Sequence, residues 1–152
     1  MTPRPTATVA HKAVRSRKVT GMVDPTVDPL AAPIEGAVHR TTGGVHEDVV
    51  SAGDARIKRV VYPPGYRWST HIGPAVGTER CMHAHVGFLM QGRMQVEYPD
   101  GCTVLFTAPQ PLVVDPGHDA CVIGDDTAIL VQIDFERDTV ARFNLAPSHT
   151  HD

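Results

Sequence analysis

The chain has 152 residues, the size of a single domain. A formal net charge of −3 at pH 7 implies no general attraction to nucleic acid or to anionic lipid, and no stretch of the sequence approaches the roughly 18 apolar residues of a membrane span. Hydrophobic residues make up 41% of the chain, which is enough for a core. Thirteen glycines and thirteen prolines favour many turns over long helices, so an all-β fold is the first expectation.

Residues 1–45 are rich in Pro, Thr, Ala and Gly, and we predict an extended, largely irregular N-terminal arm there. Residues 1–18 carry five basic residues and no acidic residue, which indicates a solvated tail or, alternatively, a basic docking arm. No apolar run of secretory length follows them, so we do not expect a signal peptide. Four apolar side chains could dock the arm on the remaining domain: Val23, Val27, Leu30 and Ile34.

From residue 46 onward, short β-like runs alternate with turn residues, and we predict one barrel over residues 46–144 followed by a frayed tail over 145–152. Met94, Val96 and Tyr98 alternate with polar residues, the period-two pattern of a half-buried strand. Pro99-Asp100-Gly101 predicts a hairpin turn. The predicted strands are 47–51, 55–62, 66–72, 83–90, 93–98, 102–107, 112–114, 120–123 and 128–135, with a short closing helix within 136–143.

Cysteine and histidine are the residue types in this sequence that could bind a metal or take part in catalysis. The three cysteines, Cys81, Cys102 and Cys121, are odd in number and widely spaced, so they do not form a disulfide framework and a reducing, cytoplasmic compartment is expected. Nine histidines is a high number for this length. Their positions along the chain are therefore the most informative feature of the sequence.

The densest group of donors is Cys81-Met82-His83-Ala84-His85. On a strand, Cys81, His83 and His85 would point to the same face. Thiolate and imidazole suit zinc, iron, copper or nickel, so this face predicts a metal site. The alternative is a pair of interior histidines hydrogen-bonded to backbone beside a buried, inert thiol.

Two further groups could complete such a site. Pro116-Gly117 is a turn that could deliver His118 onto the next strand as another donor, although this motif taken alone favours an ordinary turn with an exposed histidine. In the predicted strand 66–72, Arg67 and His71 share one face. Arg67 could then hold an anionic ligand bidentately. The alternative is a solvent-facing polar edge opposite a core tryptophan, Trp68.

The order of these motifs along residues 54–135 carries a resemblance to a known family. The matching residues are Arg67-Trp68-Ser69, Gly77-Thr78-Glu79, Cys81, His85-Val86-Gly87-Phe88, Gly92-Arg93, and Pro116-Gly117-His118-Asp119-Ala120 leading to Val122-Ile123-Gly124-Asp125. This pattern resembles the cupin superfamily, and within it the small bacterial single-domain, RmlC-like cupins of unsettled activity. The resemblance implies a small β-barrel of the double-stranded β-helix (jelly roll) type.

The first cupin motif departs from its usual form here. It ordinarily contains a paired His-x-His, a glutamate and a closing glycine. Counting forward from Gly77 makes His83 and His85 the paired histidines, but no glutamate follows. Counting backward from Gly92 places His85 at the glutamate position and Cys81 near the second histidine. We prefer this second register, because Gly92 opens a well-patterned strand that should fix the frame.

The second motif departs as well, because Ala120 stands at the usual ligand position. His118 lies two residues upstream and should share the face of Ala120. The resemblance therefore implies a shifted metal set, with His85 and His118 as anchors. Cys81, His83 or His71 would complete the set around a divalent Zn, Fe, Ni, Cu or Mn ion.

These expectations lead to a metal-binding cupin that acts on a small organic substrate. Arg67 would orient the substrate, which would then be anionic, and His83 would serve as the base. Oxygenase, lyase and isomerase chemistry are not distinguished. The main alternative is a non-catalytic module that binds or senses a small ligand, and a purely structural partner protein is the third. The resemblance also implies a homodimer, for which residues 20–45 are a candidate exchanged arm.

Overall fold

The computed structural model describes residues 28–151 of the chain. Within this range there are nine strands and three one-turn helices, and none of these helices is long and apolar enough to cross a membrane. The strands are β1 (Val38–Thr42), β2 (Val45–Ala52), β3 (Ala55–Tyr62), β4 (His85–Gln91), β5 (Arg93–Glu97), β6 (Thr103–Thr107), β7 (Gln110–Val114), β8 (Asp119–Val122) and β9 (Ala128–Asp134). The helices are α1 (Trp68–His71), α2 (Gly73–Val76) and α3 (Thr139–Arg142).

The strands form two antiparallel sheets that enclose the core. The larger sheet has the order β1-β2-β3-β9-β4-β7, and the smaller has the order β6-β5-β8. Leu89 and Val60 from the larger sheet and Met94 from the smaller one belong to the same buried cluster. The predicted alternation in β5 is confirmed, because Met94, Val96 and Tyr98 are all buried. The all-β barrel expected from the sequence is therefore the observed fold.

The prediction of a strand over residues 66–72 is wrong. Arg67 is extended, but the chain then turns into α1, with the Arg67 carbonyl accepting hydrogen bonds from the backbone of Thr70 and His71. The backbone N–H of Ser69 meanwhile donates to Asp119. The helical turn places Trp68 in the core. The face that Arg67, Ser69 and His71 would share on a strand does not exist.

The larger sheet begins inside the range predicted to be an irregular arm. Residues 1–27, including Val23, Val27 and the basic cluster, lie outside the described part of the chain. Within the described part, Leu30 and Ile34 are each 38% exposed. The segment is also held through its backbone, because the buried Arg59 guanidinium donates to the carbonyls of Leu30 and Ala32.

The C-terminal residues are closer to the barrel than predicted. The closing helix is confirmed as α3, within residues 136–143. Residues 145–151, which were expected to fray, run back to the β5–β6 hairpin, where the His149 ring stacks on Tyr98 with centroids 3.7 Å apart. Cys81, Cys102 and Cys121 are free thiols.

Candidate metal centre

A cavity of about 600 Å³ opens between the two sheets. Its inner part is lined by apolar side chains of the core, such as Leu112, Val114 and Leu130, and its outer part by charged residues of β1, β2 and β3. Small-ligand sites in proteins have this size and this mixture of apolar wall and few polar groups.

Three of the predicted donors meet in the cavity wall. The potential ligand atoms of Cys81, His85 and His118 all lie within 4.8 Å of one another. Cys81 Sγ is 3.5 Å from His85 Nε2, and the rings of His85 and His118 contact edge to face with centroids 5.1 Å apart. The three side chains therefore converge on one small volume.

Backbone pairing brings Cys81 and His118 together, although 37 positions separate them in the sequence. The two residues form an isolated antiparallel bridge in which Cys81 N–H donates to the His118 carbonyl at 2.8 Å. Gly117 N–H donates in turn to the Cys81 carbonyl at 2.7 Å. His118 and Ala120 both line the cavity, so the shared face expected for this pair is observed.

Each histidine of the cluster is oriented by a hydrogen bond to its Nδ1 atom. Nδ1 of His85 donates to Gln132 Oε1 at 2.7 Å, and Nδ1 of His118 donates to the Asp115 carbonyl at 2.7 Å. In both rings this leaves Nε2 with a free lone pair, and Nε2 of His85 faces the Cys81 thiol. Metal-bound histidines are held in the same manner by a partner on the opposite ring nitrogen.

Burial keeps the cluster uncharged. Desolvation, together with the neighbouring His118, lowers the pKa of His85 to about 3. Desolvation also lowers the pKa of His118 and raises the pKa of the Cys81 thiol to about 11. Neutral imidazole is the ligand form of histidine, whereas the thiol has to lose its proton when a metal binds.

The remaining predicted site residues lie elsewhere. His83 is exposed and lines the outer cavity, next to a shallow depression formed with Arg56, Glu136 and Arg137. His71 is not among the described residues that line the cavity, and its Nδ1 contacts the backbone of Arg67.

Arg67 does not reach the cavity either. Its guanidinium pairs with Asp119 at 2.9 Å and with Glu97 at 3.2 Å. These two carboxylates already occupy the fork that was expected to bind an anionic substrate. Arg67 therefore connects α1 to the smaller sheet and is not placed to orient a ligand in the cavity.

Gln132 and Lys58 are the cavity residues that sequence reasoning missed. They are direct neighbours on β9 and β3, and both side chains line the cavity. Gln132 is buried and orients His85, while the Lys58 ammonium lies 3.1 Å from Asp134. Period-two alternation through Gln132 and Asp134, inside an otherwise apolar strand, was the available indication.

Comparison with known proteins supports the fold. No family model matches the sequence, and no curated protein matches it. A solved cupin 2 conserved barrel domain protein from Salinispora arenicola superposes with a TM-score of 0.50 at 17% identity, covering 74% of this chain and 93% of that one. An RmlC-like cupin from Shewanella frigidimarina is also similar, with 18% identity, a TM-score of 0.45, and coverage of 65% of this chain and 83% of that one. A cupin-like protein from Thermotoga maritima has 12% identity, a TM-score of 0.46, and coverage of 62% of this chain and 71% of that one.

The topology and the first of these matches define the chain as a cupin-type barrel. The resemblance inferred from the sequence motifs is thus confirmed for the fold. At this level of identity the likeness does not extend to a substrate or a reaction.

The donor cluster fits a transition metal in its chemistry and in its spacing. In a tetrahedral site with bonds of about 2.1 Å to nitrogen and about 2.3 Å to sulfur, the two ligand atoms lie about 3.6 Å apart. Cys81 Sγ and His85 Nε2 are 3.5 Å apart. One thiolate and two imidazoles form a set that zinc, copper and iron accept.

Proposed function

We propose that this protein is a metal-binding cupin that acts on a small organic molecule in its cavity, with Cys81, His85 and His118 as the ligands of one divalent transition metal. The observation that carries the proposal is the orientation of the two histidines. Both rings use Nδ1 for a hydrogen bond to protein, which leaves Nε2 free, and potential ligand atoms of both histidines lie within 4.8 Å of the thiol. Inert core histidines would need no such convergence.

A metal held by Cys81, His85 and His118 would supply Lewis-acid chemistry to a substrate or a water molecule in the cavity. The protein contributes a cavity wall with few competing polar groups around the three donors. Apolar side chains of the core exclude bulk water on the inner side. A substrate oxygen or nitrogen would therefore approach from the charged outer part of the cavity.

The charged outer part supports a polar substrate that carries an anionic group. Lys58 and Arg56 are already paired with Asp134, at 3.1 Å and 2.7 Å. Arg40 also lines the cavity, and within residues 28–151 it makes no ion pair. We assign to Arg40 the anion-orienting role that the sequence suggested for Arg67.

His83 remains the candidate for proton transfer. It lies at the outer cavity and outside the group of convergent donors. An imidazole within reach of a bound substrate can accept a proton from it, as a general base must. In this arrangement His83 would exchange a proton with a substrate whose far end reaches Cys81, His85 and His118.

Metal content tests the proposal directly. The wild-type protein, reconstituted with Zn²⁺, Fe²⁺, Mn²⁺, Ni²⁺ or Cu²⁺ and freed of loose ions, should retain an ion that is lost in Cys81→Ser, His85→Ala and His118→Ala. Matched controls are Cys121→Ser, a buried thiol outside the cavity, and His46→Ala, an exposed histidine of β2. Retention below about a tenth of an equivalent after reconstitution with every ion, or equal retention in the wild type and in these three variants, would overturn the proposal, because metal sites of this type bind tightly.

Activity requires a second experiment. Metabolites that raise the melting temperature of the metal-loaded protein would be incubated with it, and product formation would be followed by mass spectrometry. Turnover that disappears in His83→Asn, while the metal stays bound, supports an enzyme. Tight binding of a metabolite without turnover would instead favour the non-catalytic ligand-binding module.

An exposed apolar row on the larger sheet supports the expected homodimer. Val50, Ile57 and Ile133 are direct neighbours across β2, β3 and β9, and all three are more than one-third exposed. Contiguous apolar surface of this kind is typical of protein interfaces. Light scattering should give a dimer for the wild type and a monomer for Ile57→Glu, and a monomeric wild type would contradict this proposal.

A further inference from the structure

The C-terminal residues 145–151, here called the tail, bring a second group of donors to the turn between β5 and β6. Potential ligand atoms of Cys102, His149 and His151 all lie within 4.8 Å of one another. This group shares no residue with the cluster of Cys81, His85 and His118. Sequence reasoning expected the two tail histidines to be frayed.

Each tail histidine has a carboxylate beside one of its ring nitrogens. His151 Nε2 lies 2.7 Å from Asp100 Oδ2, and His149 Nδ1 lies 3.5 Å from Asp115 Oδ2. A carboxylate on one ring nitrogen fixes the ring and makes the opposite nitrogen a better metal donor. The nitrogens left over are His151 Nδ1 and His149 Nε2.

The free nitrogen of His149 is the second observation that indicates a ligand. His149 Nε2 is buried and has no hydrogen-bond partner within residues 28–151. A buried polar atom without a partner costs free energy, which a bound ion would recover. His149 itself belongs to the same group of potential ligands as the Cys102 thiol.

The supporting residues are held by the hairpin itself. Asp100 Oδ1 accepts a hydrogen bond from Cys102 N–H at 2.8 Å. The Tyr98 hydroxyl accepts one from Asp115 N–H at 3.1 Å, and the Tyr98 ring carries the stacked ring of His149. Asp100 and Cys102 therefore belong to one hydrogen-bonded turn. The Tyr98 hydroxyl ties Asp115, from the connection between β7 and β8, to this turn, and the tail supplies the two histidines.

We propose that Cys102, His149 and His151 form a second metal site, which takes a thiophilic divalent ion such as Zn²⁺ and fastens the tail to the β5–β6 hairpin. When the ion binds, the Cys102 thiol loses its proton to solvent, and the two histidines bind as neutral imidazoles. The ion would join the tail to the hairpin, and its role would be structural.

Counting bound ions tests the second site with Zn²⁺ alone as the probe. The full-length wild type should bind about two equivalents with sub-micromolar affinity, and His149→Ala/His151→Ala about one. The triple variant Cys81→Ser/His85→Ala/His118→Ala should keep about one, which the tail histidines supply. Loss of the first site alone would leave this inference standing, so the two proposals fail separately.

Thiol protection gives a readout that does not depend on stoichiometry. In Cys81→Ser, Zn²⁺ should slow the alkylation of Cys102 by at least about tenfold, because a metal-bound thiolate is shielded. Adding His149→Ala/His151→Ala should abolish the protection, while Cys121 in the same sample reports on unfolding. Equal alkylation rates with and without Zn²⁺, equal ion counts in the wild type and the tail variant, or binding only at millimolar Zn²⁺ would each overturn the proposal.

Discussion

Gln132 Oε1 accepts a hydrogen bond from His85 Nδ1 at 2.7 Å, and this contact ties strand β9 to the donor cluster through the first residue of β4. Gln132 lies directly opposite Gly87, two residues along β4 from His85. The amide therefore fixes both the tautomer and the rotation of the His85 ring. The position of Nε2 relative to Cys81 depends on a residue that binds no metal itself.

Gln132→Leu should weaken metal binding without unfolding the protein. Loss of an orienting partner of a metal-bound histidine typically costs about 10–100-fold in metal affinity, and we expect a loss in that range by competition with a chelator. The matched control is Gln91→Leu, since Gln91 bonds to the Thr127 carbonyl, away from the cluster. Equal affinities of Gln132→Leu and the wild type would contradict the orienting role.

Arg67→Met should affect stability and leave metal binding unchanged. The guanidinium lowers the pKa of Glu97 through a side-chain hydrogen bond, and it also pairs with Asp119. Because the pair is partly solvent-exposed, we expect a loss of about 1 kcal/mol in the free energy of unfolding. Denaturant unfolding and chelator competition measure the two quantities. A lower metal affinity of Arg67→Met would contradict the conclusion that Arg67 lies outside the metal site.

The sequence was sufficient for most strands of the barrel because the evidence for them is local. Alternation along β5 and the turn at Pro99-Asp100-Gly101 are properties of neighbouring residues. Helix α1 could not be found in this way. It depends on Asp119, fifty positions away, which binds the Ser69 backbone and so competes with the extended conformation that the local pattern favoured.

The sequence predicted a group of candidate metal ligands but not which of them converge in the fold. Local pattern placed Cys81, His83 and His85 on one strand face, but β4 begins at His85 and the preceding residues are not strand. Convergence of Cys81 with His118 follows from a backbone bridge between distant segments. Gln132 was not predicted because a single amide side chain in an apolar strand belongs to no recognisable sequence motif.

Gly87→Ala should lower stability and metal affinity together. A Cβ atom at this position would lie 2.2 Å from the Val131 carbonyl oxygen and 2.8 Å from Gln132 Cα. Strands β4 and β9 would have to separate at the contact between His85 and Gln132, at a cost of about 1–3 kcal/mol or more.

Gly53→Ala is the control for the glycine substitution. Gly53 lies in the β2–β3 turn with φ +64° and has nothing within 4 Å of an added Cβ. Its left-handed backbone should cost about 1–2 kcal/mol with no effect on metal binding. If both variants lose stability but keep wild-type metal affinity, the separation of β4 from β9 does not reach the cluster.

The metal-free protein should lose stability as the pH falls from about 6.5 towards 3. The pKa of His85 is lowered to about 3 by burial and by the neighbouring His118, whose own pKa is also lowered. In this window the unfolded chain binds protons at these histidines that the folded chain does not, so stability is complete above the unfolded pKa and decreases on acidification. Each histidine contributes a slope of up to about 1.4 kcal/mol per pH unit.

The pH dependence is measured by urea unfolding between pH 7.5 and 4.5, above the ordinary pKa of 3.8 for the buried carboxyls of Asp48 and Asp134. His85→Gln/His118→Gln should give a flatter profile over the same interval. The exposed His46→Gln should keep the wild-type slope. Since protons and metal compete for the same Nε2 atoms, bound metal should be released in the same window and should steepen the wild-type profile. Parallel profiles for the wild type and the double variant would contradict the lowered pKa values of His85 and His118.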